Sequence, residues 1–299
     1  MMLATRGRAE DIARLQIEGY LFDLKIDGVR AQADIVDGQV TLTSRRGVTC
    51  TFQYPEVVER LRGLFPTGRW TFDGEIAVND DRGLPSWPLT HRRNAQVRNT
   101  SGWAAKLPAT YYVFDVLEQN SINVTRWSLA SRRQVLVEEL PHTGTVRPVL
   151  HSTDGLALWD VVQQNRMEGM VAKRPGSAYR AGRSQDWVKI KRTQTVTCLV
   201  GGYDPGEGSR ASTFGALHLY LIEGDVLKPV GKVGSGFSKT EIADVMQRLH
   251  QPPLIVEVEY LDVSPDGMLR QPVFQRLRTD ARIADCTTAQ LSDSEGSHA

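Results

Sequence analysis

The residues best suited to chemistry lie in the stretch FDLKIDGVRA at 22–31, where a lysine stands between two aspartates and a glycine follows. Apolar and charged residues alternate there, which is the period of a half-buried strand. Lys25 could attack phosphorus only as a neutral amine, so its pKa must fall from about 10.4 towards neutrality. Because burial and neighbouring cations lower a lysine pKa, a reactive Lys25 predicts positive groups or metal ions around one pocket. The alternative is an edge strand with a solvated charged face.

Two neighbours of Lys25 have residue types that suit a nucleotide site. Gly28 would let the backbone approach a ligand closely. Arg30 could hold a phosphate through its planar guanidinium. Further basic runs stand beside predicted turns, at 44–47, 91–98, 173–183 and 189–192. These runs are the candidates for contacts with phosphate, although a basic run is commonly a solvated face.

Six motifs follow one another along the chain: KIDGVR (25–30), SRRG (44–47), FDGE (72–75), YVFDVL (112–117), EGMVAKR (168–174) and WVKIK (187–191). In this order they resemble the motifs of ATP-dependent DNA ligases, members of the covalent nucleotidyltransferase superfamily. RQPVFQRLRTD (270–280) resembles the ligase motif of the second domain. The glycine-rich VGGYDPGEG and GKVGSGFS resemble bacterial stand-alone ligases and the ligase modules of bacterial end-joining proteins. The resemblance covers residues 2–282.

The resemblance implies a role for particular residues. The implied catalytic residues are Lys25, Lys189, Lys191, Arg278 and Asp280, and those implied for ATP binding are Asp23, Arg30, Arg45, Glu75, Phe114 and Lys173. Glu168 and Glu75 would hold Mg²⁺ or Mn²⁺ beside the α-phosphate, since magnesium favours few carboxylates plus phosphate oxygens. Lys25 would attack the α-phosphorus of ATP and expel pyrophosphate.

The other cations and the aromatic residue would surround the nucleotide. Lys173, Lys189 and Lys191 would lie around the same phosphate, with residues 189 and 191 on one face of a strand while 188 and 190 point to the core. Arg30 and Arg45 would bind the ribose and later the 5′-phosphate of the nick. Phe114 would stack on adenine; without the resemblance, a core phenylalanine is an equal reading of so apolar a strand.

The sequence departs from the family pattern in two places. Family members usually carry glutamate at the position of Asp23, where it helps to read the adenine amino group, so adenine selectivity is expected to be looser or to rest on backbone groups. The last motif usually ends arginine-x-aspartate-lysine, but here Ala281 stands where the lysine is expected. We predict slower self-adenylylation for this reason, with Arg282 as a substitute cation.

The elements that would position these residues indicate an α+β protein. The predicted helices cover 9–17, 54–65, 128–140 and 155–167, and the predicted strands cover 22–36, 39–44, 70–78, 110–120 and 168–175. From residue 193 short strands alternate with glycine-rich turns around one helix, which is typical of an OB-fold barrel. The expected organisation is a nucleotidyltransferase (adenylation) domain at 1–191, an OB-fold domain at 192–289 and a disordered polar tail at 290–299. The boundary would be a hinge.

The amino-acid composition indicates the general class of protein to which the chain belongs. The chain has 299 residues, with 40% hydrophobic and 24% charged, which is typical of a soluble globular protein. No stretch approaches the eighteen apolar residues of a membrane span. Three scattered cysteines have neither disulfide-framework nor zinc-site spacing, so the default expectation is a reducing cytoplasm. The net charge of +1 does not identify a partner, because binding a polyanion requires only a local basic face.

The resemblance implies ATP-dependent sealing of nicked double-stranded DNA through a lysyl-AMP and an adenylylated DNA. The expected setting is DNA repair, in break end joining or excision repair, and a Ku protein or a repair polymerase is suggested as a partner. A monomer is expected. The alternatives are an RNA ligase, an mRNA guanylyltransferase, or a nick-binding module whose active site has decayed. A preference for GTP would identify the guanylyltransferase.

Overall fold

The computed structural model describes residues 1–249, 251 and 253–292. The chain divides into two compact units, Met1–Arg192 and Thr193–Ala299. Within the described residues, no helix has the length and apolar character that crossing a membrane requires.

The first unit combines short helices with two sheets. Its strands are β1 (Met2–Arg6), β2 (Leu21–Leu24), β3 (Val29–Val36), β4 (Gln39–Ser44), β5 (Arg69–Asn79), β6 (Pro85–Ser86), β7 (Ala109–Gln119), β8 (Ile122–Asn123), β9 (Val146–Pro148), β10 (His151–Ser152), β11 (Gly169–Lys173) and β12 (Gly182–Lys191). Its α-helices are α1 (Ile12–Ile17), α2 (Pro55–Leu64), α3 (Trp87–Asn94), α4 (Thr100–Lys106), α5 (Leu129–Glu139) and α6 (Gly155–Gln164). Short 3₁₀ turns cover Ala9–Asp11 and Thr51–Gln53.

The two sheets of this unit share no strand. One has the order β1-β12-β11-β2-β10, with β1 parallel to β12 and the other pairs antiparallel. The other has the order β4-β3-β5-β7-β8, with β6 added to β5 and β9 to β7. A cluster of buried apolar side chains from β3, β5 and β7 packs with those of α2 and α5, and a separate cluster joins α1 and α6 to β2 and β11.

The stretch around Lys25 differs from the predicted single strand. Strand β2 ends at Leu24, β3 begins at Val29, and the two belong to different sheets. Lys25 therefore lies at the start of a crossing segment, where the chain passes from one sheet to the other. Gly28 permits the crossing, because a Cβ there would lie 2.4 Å from the backbone oxygen of Ile76.

Helix α5 is fixed by its first turn and by a buried ion pair. The Ser128 hydroxyl caps the helix by accepting a hydrogen bond from the backbone N–H of Ser131. Arg132 is fully buried and donates to both carboxylate oxygens of Asp115 on β7, at 2.6 and 3.0 Å. The backbone N–H of Ala130 donates to the carbonyl of Pro175, just after β11. The helix is thus tied to strands of both sheets.

The second unit is built on one antiparallel sheet of order β15-β14-β13-β16-β17. Its elements are β13 (Gln194–Pro205), β14 (Phe214–Glu223), β15 (Val226–Val233), α7 (Lys239–Arg248), β16 (Leu254–Tyr260), β17 (Val273–Leu277) and α8 (Ala289–Ser292), with 3₁₀ turns at Gly208–Arg210 and Ile283–Asp285. Ser238 and Glu241 form a capping box at the start of α7. The sheet and α7 enclose a core of their own.

The C-terminal stretch differs in part from the predicted polar tail. Gln290 lies in α8, where its side chain accepts from the backbone N–H of Thr197 and donates to the Thr197 carbonyl, so this part of the tail is tied to β13. Residues 293–299, which complete the predicted tail, lie outside the described residues. Strand β1 and helices α3 and α4 have no counterpart among the predicted elements, because they are short and weakly periodic.

Candidate active site

Alternation along three neighbouring strands builds one wall of a cleft. Asp23 of β2 pairs with Val171 of β11, which pairs with Lys189 of β12, so the three lie in one row across the sheet. Gly169 pairs with Lys191, one step along the same face. The residues between them, including Phe22, Met170 and Ile190, are buried in the core. Polar side chains therefore line one face because their neighbours must pack on the other.

The cleft has a volume of about 290 Å³, and every residue that lines it belongs to the first unit. It contains nine of the residues singled out from the sequence: Asp23, Lys25, Arg30, Arg45, Glu75, Phe114, Lys173, Lys189 and Lys191. Leu3, Ala4, Leu24, Ile26, Val171, Arg183 and Trp187 complete the lining. Strands of both sheets thus contribute to one site.

Lys25 is held by carboxylates as well as flanked by cations. Its Nζ lies 2.5 Å from Oε2 of Glu168, whose Oε1 lies 2.8 Å from Nζ of Lys191. The backbone N–H of Lys25 donates to the carbonyl of Gly169 at 2.9 Å, so the chain itself fixes the lysine beside Glu168. Gly169 has φ +146°, and a Cβ there would lie 2.1 Å from the carbonyl oxygen of Ile190.

The charge state of Lys25 differs from the expectation that neighbouring cations lower its pKa. Burial lowers the pKa, but the negative charges of Glu168, Glu75 and Asp27 outweigh burial, so the pKa of Lys25 is raised. Glu168 shows the reverse balance: burial raises its pKa, but Lys25 and Lys191 bring it below the usual value. In this arrangement Lys25 is an ammonium ion paired with a carboxylate, because each charge stabilises the other more than burial penalises it.

Glu75 faces the same lysine from the other sheet. Burial raises its pKa to about 8, against the opposing effect of Lys25 and with a further increase from Glu168. Among the described residues, no three histidine, cysteine, aspartate or glutamate side chains are grouped as a metal centre would require. Glu75 and Glu168 nevertheless place two carboxyl groups around one lysine, and a cation with phosphate ligands would suit this pair and favour the ionised form of Glu75.

Further cations line the cleft without being held by Glu168. Burial lowers the pKa of Lys189, and the positive charges of Lys191, Lys25 and Arg183 lower it further. Arg183 was not singled out from the sequence as a site residue. Arg183 lies in the basic run at 173–183, but the run alone does not indicate which of its cations faces the site.

Arg30 is not a free phosphate-binding group. Its guanidinium donates to both oxygens of the buried Asp73, at 3.0 and 2.6 Å, and lies 5.2 Å from the centre of the Phe114 ring. The Tyr179 hydroxyl donates to Asp73 at 2.6 Å and accepts from the backbone N–H of Met2. Asp73 thus sets the direction of Arg30, and the FDGE motif contributes this aspartate as well as Glu75.

Lys173 is paired with Asp23 rather than with Glu168, and its sharing a phosphate with Lys189 and Lys191 stays a prediction. It is 2% exposed, and its Nζ lies 4.7 and 4.1 Å from the ring centres of Phe114 and Trp187 and donates to the Phe114 carbonyl. Burial lowers its pKa more than neighbouring carboxylates raise it. The strand register explains this position. Lys173 pairs with Trp187 at the end of β11 that is opposite to Gly169, the residue next to Glu168.

Asp23 is enclosed by cations rather than free to contact a ligand with both oxygens. Its Oδ2 lies 2.6 Å from Nζ of Lys173, and its Oδ1 accepts a hydrogen bond from Arg133 on α5. Burial would raise the Asp23 pKa, but Arg133 and Lys173 bring it below its usual value. Sequence reasoning missed Arg133 because it lies 110 residues from Asp23 and in none of the motifs.

Arg278 and Asp280 belong to the second unit. Arg278 donates to both oxygens of Asp280, at 2.9 and 3.0 Å, and also to Glu257 and to the Thr197 hydroxyl. Arg278 is therefore oriented by two carboxylates. The neighbouring Ala281 packs against the core of this unit, and the backbone N–H of Arg282 donates to Asp285.

Comparison with known proteins identifies the first unit. A protein-family model described as ATP dependent DNA ligase domain matches residues 1–191. The chain is 31% identical over 304 residues to the multifunctional non-homologous end joining protein LigD of Mycolicibacterium smegmatis, covering 93% of this chain and 38% of the relative. It is 32% identical over 288 residues to DNA ligase 2 of Korarchaeum cryptofilum, covering 88% of this chain and 48% of the relative. The chain thus spans less than half the length of these relatives.

Solved structures resemble the chain over nearly its whole length. The ligase domain of LigD from M. tuberculosis is 27% identical, with a TM-score of 0.56 over 96% of this chain and 97% of that chain. A Lig E DNA ligase, described as binding DNA with a minimal scaffold, has a TM-score of 0.65 at 21% identity, over 93% of this chain and 98% of that chain. The second likeness is one of fold alone.

Proposed function

Because the chain belongs to the ATP-dependent DNA ligase domain family, we propose that it seals nicks with a 3′-hydroxyl and a 5′-phosphate in duplex DNA. The observation that carries this proposal is the cleft in which Lys25 is fixed beside Glu168 by its side chain and by its backbone. Around it stand Lys189, Lys191 and Arg183, and phosphate groups would be neutralised there.

In the first step Nζ of Lys25 attacks the α-phosphorus of ATP, forming a P–N bond while the bond to the β-phosphate oxygen breaks and pyrophosphate leaves. Lys25 must first give up a proton, and the charges of Glu168 and Glu75 oppose that loss. Glu168 and Glu75 are the residues that would hold a magnesium or manganese ion, whose charge would favour the neutral amine and polarise the α-phosphate.

In the second step an oxygen of the DNA 5′-phosphate attacks the same phosphorus and the P–N bond to Lys25 breaks. In the third step the 3′-hydroxyl attacks the activated 5′-phosphate, so that the phosphodiester forms and AMP leaves. Residues of the cleft act in these transfers mainly by position and charge. Phe114 would stack on the base, and Arg30, directed by Asp73, would contact the sugar or the DNA phosphate.

The second unit is proposed to be an OB-fold barrel that closes over the nucleotide from a hinge after Arg192, where the two compact units divide. Two hydrogen bonds support a closed sheet, since each joins one edge strand, β15 or β17, to the chain near the opposite edge strand. The N–H of Leu269 donates to the Val230 carbonyl, and the N–H of Phe274 donates to the Ser235 carbonyl. Arg278 and Asp280 are the residues of this unit proposed to assist pyrophosphate departure.

Two segments without acidic residues support DNA as the partner. Residues 38–55 and 83–114 contain no aspartate or glutamate. The side chains of Gln53 and Tyr54 both hydrogen bond to Asn94, which brings the segments together. Their exposed cations are Arg45, Arg46, Arg92, Arg98 and Lys106, which form no ion pair among the described residues, and Arg45 also lines the cleft. A polyanion could therefore lie along this surface, called here the 45–106 surface, and reach Lys25.

The test is sealing of a 5′-labelled nicked duplex on a denaturing gel with ATP and Mg²⁺. The same duplex with GTP, and an RNA duplex with the same nick, run beside it. We expect ATP-dependent sealing of the DNA nick. Sealing of the RNA substrate alone would indicate an RNA ligase, and DNA binding without sealing would indicate a decayed nick-binding module. A role in break repair, a Ku or polymerase partner, and a bacterial cytoplasmic location stay predictions from the resemblance.

A further inference from the structure

The end of the cleft away from Glu168 holds a buried carboxylate between two cations. Asp23 is 2% exposed and lines the cleft, with Lys173 at one oxygen and Arg133 at the other. Phe114 is beside them, since its ring and its carbonyl both contact the Lys173 ammonium. A base stacked on Phe114 would therefore present an edge to Asp23 and Lys173.

Arg133 has one side-chain partner in the part of the chain that the structure describes, and that partner is Asp23. Its side chain is only 11% exposed, and its Nε is buried without a hydrogen bond among the described residues. Burying an arginine with one partner and an unbonded Nε costs free energy, so the pair with Asp23 is not explained by stability alone. The pair is not needed to anchor α5, because the neighbouring Arg132 already ties the helix to Asp115 and to the carbonyls of Trp127 and Ser177.

The anchored helix presents Arg133 from a fixed position. Arg132 is fully buried, and the backbone N–H of Ala130 is bonded to the Pro175 carbonyl, two residues after Lys173. Helix α5 is therefore fixed to the end of the strand that carries the second cation. The two cations approach different oxygens of Asp23, so the carboxylate plane is set by both and cannot rotate freely.

An ionised and fixed carboxylate distinguishes purines by charge. Adenine carries an exocyclic amino group, a donor, where guanine carries a carbonyl oxygen, an acceptor. A carboxylate accepts hydrogen bonds only, so it binds the amino group and repels the carbonyl. A site built to bond one substrate group discriminates strongly against an analogue that lacks it, because buried polar groups are then left unpaired.

We propose that Arg133 is a positioning residue for base selection, orienting Asp23 so that its carboxylate accepts from the adenine amino group and rejects guanine. Because Arg133 fixes its orientation, the shorter Asp23 side chain would contact the adenine amino group, for which family members usually use a glutamate. The inference rests on the proposed function, since it concerns the nucleotide consumed at Lys25.

The experiment measures labelling of the full chain by α-phosphate-labelled ATP and GTP, each as the rate constant divided by the apparent dissociation constant. The variants are Arg133→Met, which removes the charge and keeps the stem, and Arg133→Lys, which keeps a charge. Arg14→Met is the matched control, because Arg14 is exposed on α1 and pairs only with Asp11 and Glu18 among the described residues. Thermal unfolding is recorded for each.

We expect Arg133→Met to lower the ATP-to-GTP ratio by about tenfold, with the ratio largely restored in Arg133→Lys and unchanged in Arg14→Met. An equal slowing with both nucleotides would overturn the proposal, because it would show that Arg133 only supports the fold. If Arg133→Met does not fold, Asp23→Asn, which is close to isosteric, must lower the same ratio. Labelling of the wild-type chain by neither nucleotide would instead contradict the proposed function, and the inference with it.

Discussion

Paired charges set the properties of the individual residues in the cleft. Lys25 is paired with Glu168, Arg30 with Asp73 and Asp23 with Arg133. Each partner lies far along the chain from the residue that it holds. Binding of a nucleotide in this cleft would therefore exchange these internal ion pairs for contacts with phosphate and a cation.

The pair between Arg30 and Asp73 allows a prediction at this scale. Replacing Asp73 with asparagine leaves Arg30 without its carboxylate in a largely buried position, so we expect a loss of about 3–5 kcal/mol in the free energy of unfolding. Labelling by ATP should fall too, because Arg30 loses its direction. Urea unfolding and labelling by α-phosphate-labelled ATP measure the two effects.

Tyr179→Phe is the matched control, since it removes only the hydroxyl that donates to Asp73 and accepts from Met2. We expect that change to cost about 1 kcal/mol. Equal losses for the two variants would show that the Asp73 charge does not matter.

The motifs located most of these residues but missed two of their partners. The six motifs contain the Lys25, Glu168 and Lys191 that the structure joins, because each motif is local in sequence. Arg133 and Tyr179 were missed, because their contacts with Asp23 and Asp73 span 110 and 106 residues and depend on how α5 and the loop before β12 pack. The raised pKa of Lys25 was likewise beyond the sequence, since it depends on the distance to Glu168.

At the scale of elements, the segment between β2 and β3, which contains Lys25, connects the two sheets that line the cleft. The alternating pattern at 22–31 suggested one continuous strand, because the periodicity does not reveal a change of sheet. The structural reason for the change is at Gly28, which packs against the backbone of β5. The amphipathic α2, which begins at a proline, and α5, which is capped by Ser128, could be predicted, whereas the short α3 and α4 have no side-chain cap.

The crossing makes Gly28→Ala a test of how the two sheets position the lysine. A Cβ there would lie 2.4 Å from the Ile76 carbonyl oxygen and 2.9 Å from Cγ of Glu75, so the segment must shift. We expect labelling by ATP to fall by at least about tenfold, since small displacements of reacting groups are costly in rate. Gly176→Ala is the control, because a Cβ at that glycine meets nothing within 4 Å. Equal labelling by both variants would contradict this account.

At the scale of the whole molecule, the net charge of +1 conceals an uneven distribution. The 45–106 surface combines two segments that lack acids, whereas many other arginines, such as Arg62 and Arg82, are paired with carboxylates. The sequence showed the basic runs at 44–47 and 91–98 but not that Asn94 brings their segments together. A duplex bound there would be held mainly through phosphate contacts.

Removing the cations of this surface should weaken DNA binding and leave labelling by ATP unchanged in variants that do not touch the cleft. We expect the combined change Arg92→Ala, Arg98→Ala and Lys106→Ala to reduce the slope of log affinity against log salt by about 2–3. Fluorescence anisotropy with a labelled nicked duplex measures it. Arg62→Ala, on α2 beside Glu59, is the matched control. A slope equal to that of the control would place the DNA elsewhere.

The central claim is that Lys25 carries AMP covalently. The most direct measurement is incubation of the chain with α-phosphate-labelled ATP and Mg²⁺, denaturing electrophoresis, and mass mapping of the modified peptide. Lys25→Ala runs beside it, with Lys228→Ala, an exposed lysine paired with Glu223, as control. We predict label on wild type and Lys228→Ala, absent from Lys25→Ala, and an AMP adduct on Lys25. An adduct on another residue, or no label on a chain whose intact mass shows no AMP already bound, would contradict the claim.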